Sequence, residues 1–125
     1  MLQQVDAPLI IRQKVRSALE GVPVRSQLPE RWVPTQGPAV TIVSDGTPAN
    51  ERAWTRENVR VAVYAATEPQ ARELATRIDA YLLDPRLVWG FSILPGPGLV
   101  TTWDSHLGGW IAAITVRAAT TRKDL

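Results

Sequence analysis

The chain has 125 residues, 45% of them hydrophobic, which fits a single domain spanning 1–125 with a core of its own and does not fit a disordered segment. Fourteen basic against twelve acidic side chains leave a net charge of +2, too small an excess to mark a nucleic-acid binder by composition. The absence of cysteine excludes disulfides, thiolate metal sites and cysteine nucleophiles, and a single histidine argues against a histidine-based zinc site.

The amino-terminal stretch MLQQVDAPLIIRQKV has no basic start ahead of an apolar core, so no signal peptide is expected. The longest uncharged run, 87–103, is broken by Pro95 and Pro97 and is not read as a membrane span. Action in, or assembly from, the cytosol is therefore expected.

A first helix is predicted from Asp6, a side-chain cap followed by Pro8 where a free N–H is not needed. Ile11, Val15, Ala18, Leu19 and Val22 recur at helical spacing, and Gly21 is the expected carboxyl-terminal cap. Residues 22–38, VPVRSQLPERWVPTQGP, carry four prolines and read as an ordered loop with a brief extended piece near Val22–Ser26. A short strand over Val40–Ser44 then meets the turn-forming SDGTPAN.

From Trp54 to Ala66 the pattern alternates with period two. Val59, Val61 and Val63 share one face, and Trp54, Arg56, Arg60 and Tyr64 share the other. Thr67 with Gln70 makes a capping box around Pro69, and Ala71, Leu74, Ala75, Ile78 and Leu82 line a second helix that ends before Pro85. Strands are predicted over Leu87–Leu94, Leu99–Trp103 and Trp110–Ala119, the first broken by PGPG and the last two joined by DSHLGG. The expected fold is α/β of the α+β kind: one domain, a mixed or antiparallel sheet of about five strands, and two amphipathic helices packed on one face. Burial of Ile11, Val15, Leu19, Leu74, Ile78 and Leu82 contributes about 1.5–3 kcal/mol each before chain entropy is subtracted.

Asp104, Ser105 and His106 are the residue types of a hydrolase triad. Consecutive residues of one turn point apart, however, and no GxSxG elbow accompanies them, so the stretch is read as a polar hairpin turn. PGPG lacks the lysine and helix of a phosphate loop. Glu68 and Glu73 in the second helix's first turns are ordinary dipole partners. No catalytic, cofactor-binding or metal site is expected. The Trp54/Arg56/Arg60/Tyr64 face is read first as a subunit interface, next as a solvated face, and third as a nucleic-acid platform. In the stiff PERWVP loop, Arg31 and Trp32 either dock on a partner or Trp32 folds back on the core. With Trp103, these residues form the expected interface set.

The organisation resembles the small tail terminator (tail completion) proteins of long-tailed bacteriophages, particularly those of actinobacterial hosts. The resemblance runs over nearly the whole chain: an amino-terminal helix, the PERWVP loop, the strand-to-helix unit NVRVAVYAATEPQARELATRIDAYLLDP, and a close through PGPG, an acidic turn and GGWIAAITVRA. It implies a structural virion protein at the tail–neck junction, assembled in the host cytoplasm. Such proteins form a hexameric ring on the finished tail tube, end tube polymerisation, and offer a surface to the head-neck connector. Implied partners are further copies of the chain, the major tail tube protein and the connector, with DNA passing through unread and no membrane involved. The resemblance brings no enzymatic activity, cofactor or catalytic residue. Another neck protein (head-closure or adaptor) and a small ligand-binding α/β module are the alternative readings.

Overall fold

In the computed structural model the chain is described at residues 2–3, 6–46, 49–50, 54–87, 90–121 and 123–124, with side chains over 6–46, 56–87 and 90–119. The elements in order are β1 (Leu2–Gln3), α1 (Ala7–Ala18), β2 (Val24–Arg25), a 3-10 turn (Pro34–Gln36), β3 (Ala39–Ser44), β4 (Ala49–Asn50), β5 (Trp54–Ala65), α2 (Glu68–Leu82), β6 (Ser92–Pro95), β7 (Val100–Asp104), β8 (Gly109–Thr121) and β9 (Lys123–Asp124). The α+β single-domain expectation holds. The sheet runs β2-β3-β5-β8-β6, five positions wide, with β2 parallel to β3 and the other pairs antiparallel. β4 pairs with the start of β5, and β7 pairs with β8 beyond the end of β6. β1 and β9 form a separate antiparallel pair.

Both helices begin on the caps read from the sequence. The Asp6 carboxylate accepts the Leu9 N–H at 3.1 Å, and Thr67 Oγ1 accepts the Gln70 N–H at 3.3 Å. α1 stops a turn sooner than its pattern suggests. Leu19 is already extended, with φ −116° and ψ 98°, and Ala18 is exposed while Leu19 and Val22 rest half-buried against the core. Gly21 lies in the turn that follows rather than at the cap. The strand predicted from Leu87 is also shorter: Leu87 donates its backbone N–H to Asp84 in a turn, and regular pairing begins only at Ser92.

The main core cluster lies between the helices and one face of the sheet. α1 lies over β2, β3 and β5, and α2 over β5 and β8. Ile11, Val15, Leu74, Ile78 and Leu82 meet Val24, Val40, Ile42, Val59, Val61, Val63, Ala112, Ile114, Val116 and Ala118. The register explains the grouping. Val40, Val63 and Ala112 stand in one cross-strand row and Ile42, Val61 and Ile114 in the next, and directly opposed residues share a face.

The alternate residues point away from the helices. There, Ala39, Tyr64 and Ile111 make one row, Ala62 and Ala113 the next, and Arg60 and Thr115 a third. Ala39, Thr41 and Ala62 on this side are nonetheless buried. Their cover is the proline-rich loop, which crosses to this face and lays Trp32 over it.

Candidate interaction surfaces

Three surfaces follow from this arrangement: the loop-covered end of the helix-free face, its arginine-bearing remainder, and the β6–β7 edge. At the covered end, Trp32 is only 6% exposed. Its ring meets Tyr64 edge-on with centroids 6.0 Å apart, and its Nε1–H donates to the Gly37 carbonyl at 3.1 Å. A buried indole with its N–H satisfied is the low-energy way to place tryptophan at a sheet surface. The neighbouring Pro34 reaches the start of β8, its Cγ 3.0 Å from where a Cβ on Gly109 would stand. Of the two readings left open for this loop, Trp32 folds back, and it does so on the face opposite the helices.

Arg31 sits one residue earlier in a reverse turn closed by the Trp32 N–H on the Pro29 carbonyl at 3.1 Å. Its φ of 60° lies in the left-handed region, uncommon for a residue with a β-carbon. The turn thereby sends the arginine into solvent and the tryptophan inward. Arg31 and Trp32, grouped in the sequence, therefore face in opposite senses.

The remainder of this face carries Arg56 and Arg60, both exposed, and half-buried Tyr64. Trp54 opens β5, its backbone paired with Thr121, but its side chain lies outside the described residues. Two arginines that sequence reading passed over join the face. Arg117 stands directly across from Asn58, and Arg25 is brought alongside Thr41 by the parallel β2–β3 pair. The alternation Ile111, Ala113, Thr115, Arg117 was a signal for the first. Only the register could place it beside Arg60.

Trp103 lies elsewhere. It pairs with Trp110, a residue that packs on the core side, and the two rings meet edge-on at 5.7 Å. Trp103 is 51% exposed, Val100 63% and Leu94 45%, so the β6–β7 edge carries three large apolar side chains in water. Here β6 and β7 share one strand position along β8, joined by PGPG. Gly96 permits the junction: its N–H donates to the Thr115 carbonyl at 3.0 Å, and a Cβ there would stand 2.4 Å from that oxygen.

The opposite edge is closed by charge. Arg12 Nη1 donates to the Ile42 carbonyl at 3.0 Å, and Arg16 donates through Nε and Nη2 to the Val24 carbonyl at 3.2 and 2.7 Å. Guanidiniums on edge carbonyls remove the acceptors that another strand would need.

DSHLGG forms the expected turn. One Asp104 carboxylate oxygen accepts the backbone N–H groups of His106 and Leu107 at 2.9 and 3.1 Å. Gly108 supplies the left-handed residue, φ 68°, that returns the chain to β8. Ser105 and His106 are exposed on its tip. At the end of α2, Arg86 forms a two-pronged ion pair with Asp84. That hydrogen bonding holds the Asp84 carboxyl below, and the Arg86 guanidinium above, its ordinary pKa.

No protein-family model matches the chain, and no curated protein matches it.

Proposed function

We propose that the protein is a structural subunit of a phage tail, assembling as a hexameric ring that caps the tail tube, ends its polymerisation and joins it to the head-neck connector. The observation that carries this reading is the inequality of the two sheet edges. One is shut by Arg12 and Arg16; the other offers Leu94, Val100 and Trp103 beside backbone with no further strand among the described residues. A ring closes only through heterologous contacts, one patch meeting a different patch on the next copy, and a subunit with one receptive edge suits that geometry. Each contact needs about 1,000 Å² or more of buried surface for specificity, and Trp103 is the kind of anchor such contacts use. The likeness to tail terminators in helix–strand order, in the PERWVP loop and in the PGPG-to-GGW close supports the same reading.

On this proposal the ring works in the virion at the tail–neck junction after assembly in the host cytoplasm. It contacts the tail tube protein below and the connector above, and DNA passes through its centre.

The test is electron microscopy of phage particles made with this reading frame disabled. Headless tails of uncontrolled, often excessive length are expected. Headless tails of normal length would replace the terminator reading with a neck protein, and intact infectious particles would overturn both. Charging the edge with Val100→Lys and Trp103→Lys should block ring assembly while leaving the circular dichroism spectrum unchanged.

A further inference from the structure

We propose that the Arg31 side chain of each copy enters a cleft between α2 and the PGPG turn of the next copy and pairs there with Asp79, a contact that rests on the ring reading above. The cleft, about 180 Å³, opens between the last turns of α2 and the turn joining β6 to β7. It therefore interrupts the exposed edge between Leu94 and Val100. Leu99 and Ile114 supply its apolar lining, and Thr76 and Asp79 stand on its helix side.

The cleft is built for a cation. The Asp79 carboxylate is half-buried and has no ion pair or hydrogen bond among the described residues. It sits in the last turn of α2, a turn with no basic residue, where the negative end of the helix dipole disfavours an acid. Thr76 Oγ1 gives its proton to the Arg72 carbonyl at 2.8 Å and is left to act as an acceptor. Pro95 and Pro97 have no N–H, and that of Gly96 is taken by the Thr115 carbonyl. Acceptors beside an apolar lining suit a guanidinium carried on a methylene stem.

The chain carries the matching cation. Arg31 is exposed, and its guanidinium has no ion pair or hydrogen bond among the described residues. It projects from a reverse turn that Trp32 clamps to the sheet, so little freedom is lost when it docks. Its left-handed φ would suit glycine better. An arginine held there under strain, with no polar contact of its own, is accounted for by a partner outside the chain. Arg60 and Arg117 fit a cleft less well, since they rise from the flat of the sheet with Val43 and Leu94 directly across from them. Within one copy the two groups stay apart: Asp79 lies on the α2 side of the sheet, the Arg31 loop on the other. Both halves of the pair belong to one chain, which selects a second copy over a foreign protein. Two different patches meeting between copies make the heterologous contact that a closed ring requires.

Sedimentation velocity of the purified chain over a concentration series measures the contact. Arg31→Asp and Asp79→Arg should each weaken self-association about tenfold or more, because like charges then face each other. Both should fold, since aspartate tolerates the left-handed region and arginine is a good helix former. An equimolar mixture of the two variants should associate like the wild type, the copies alternating so that every contact again joins opposite charges. The Arg31→Asp/Asp79→Arg double variant should do the same. Arg31→Gly should weaken association although it relieves the turn. The proposal is overturned by a wild type that stays monomeric throughout the series, by single variants that associate like the wild type, or by a mixture no better than its components. The terminator reading fails separately. Rescue by the mixture, together with intact phage from the disabled reading frame, would keep the contact and discard the terminator; long headless tails without rescue would do the reverse.

Discussion

Along β5, the odd-numbered residues are covered by two helices and the even-numbered ones, in part, by a loop, and the two covers are built differently. Val59, Val61 and Val63 are sealed by many aliphatic side chains from α1 and α2, so no one of them decides the packing. Ala62 and Tyr64, on the reverse side, owe their shelter to a loop that carries one indole, held by one ring contact and one hydrogen bond. Cover made from regular elements is redundant; cover made from a loop is concentrated in a single residue. The difference also leaves the arginine half of the reverse face open to solvent.

Three substitutions probe that contrast. The largest loss is expected from Ile78→Ala, which empties a fully buried site between α2 and the sheet and should cost about 2–5 kcal/mol. It would be read as a lower urea midpoint at unchanged slope. Trp32→Ala should cost less, about 2–3 kcal/mol, because a surface loop can settle and water can enter where a core cannot relax. It should also open residues 26–38 to limited proteolysis while the helices stay protected. An equal cost for both variants would mean that the two faces form one cooperative core; a cost below about 0.5 kcal/mol for Trp32→Ala, typical of a surface site, would mean that the loop shelters nothing.

The smallest effect is expected from Arg31→Gly. Releasing the left-handed strain should stabilise the turn by up to about 1 kcal/mol, partly offset by the greater freedom of glycine in the unfolded chain. A loss of stability instead would show that the Arg31 side chain itself holds the loop down.

The same contrast explains what the sequence disclosed. The valine alternation in β5, the caps at Asp6 and Thr67 and the DSHLGG turn were legible because each is decided by residues a few positions apart. The destination of the PERWVP loop was not, since Trp32 finds Tyr64 from thirty-two positions away and nothing local says which side of the sheet it will take. The arginine group was legible only by halves. Alternation put Arg56 and Arg60 together, but Arg117 joined them through a register set by the whole length of β5 and β8. The early end of α1 and the late start of β6 were missed for a related reason: apolar spacing continued past the point where the backbone turned to reach its next partner.

The PGPG junction has a mechanical consequence for the receptive edge. A strand adding to β7 from the hairpin end finds five residues of straight backbone, Val100–Asp104, a run of about 17 Å. Beyond it the chain steps aside at Gly98 and Gly96, anchored to β8 through Thr115, and the rail on which pairing would continue is offset. A strand added there would be confined to those five positions, with no track along which its pairing could slide or extend.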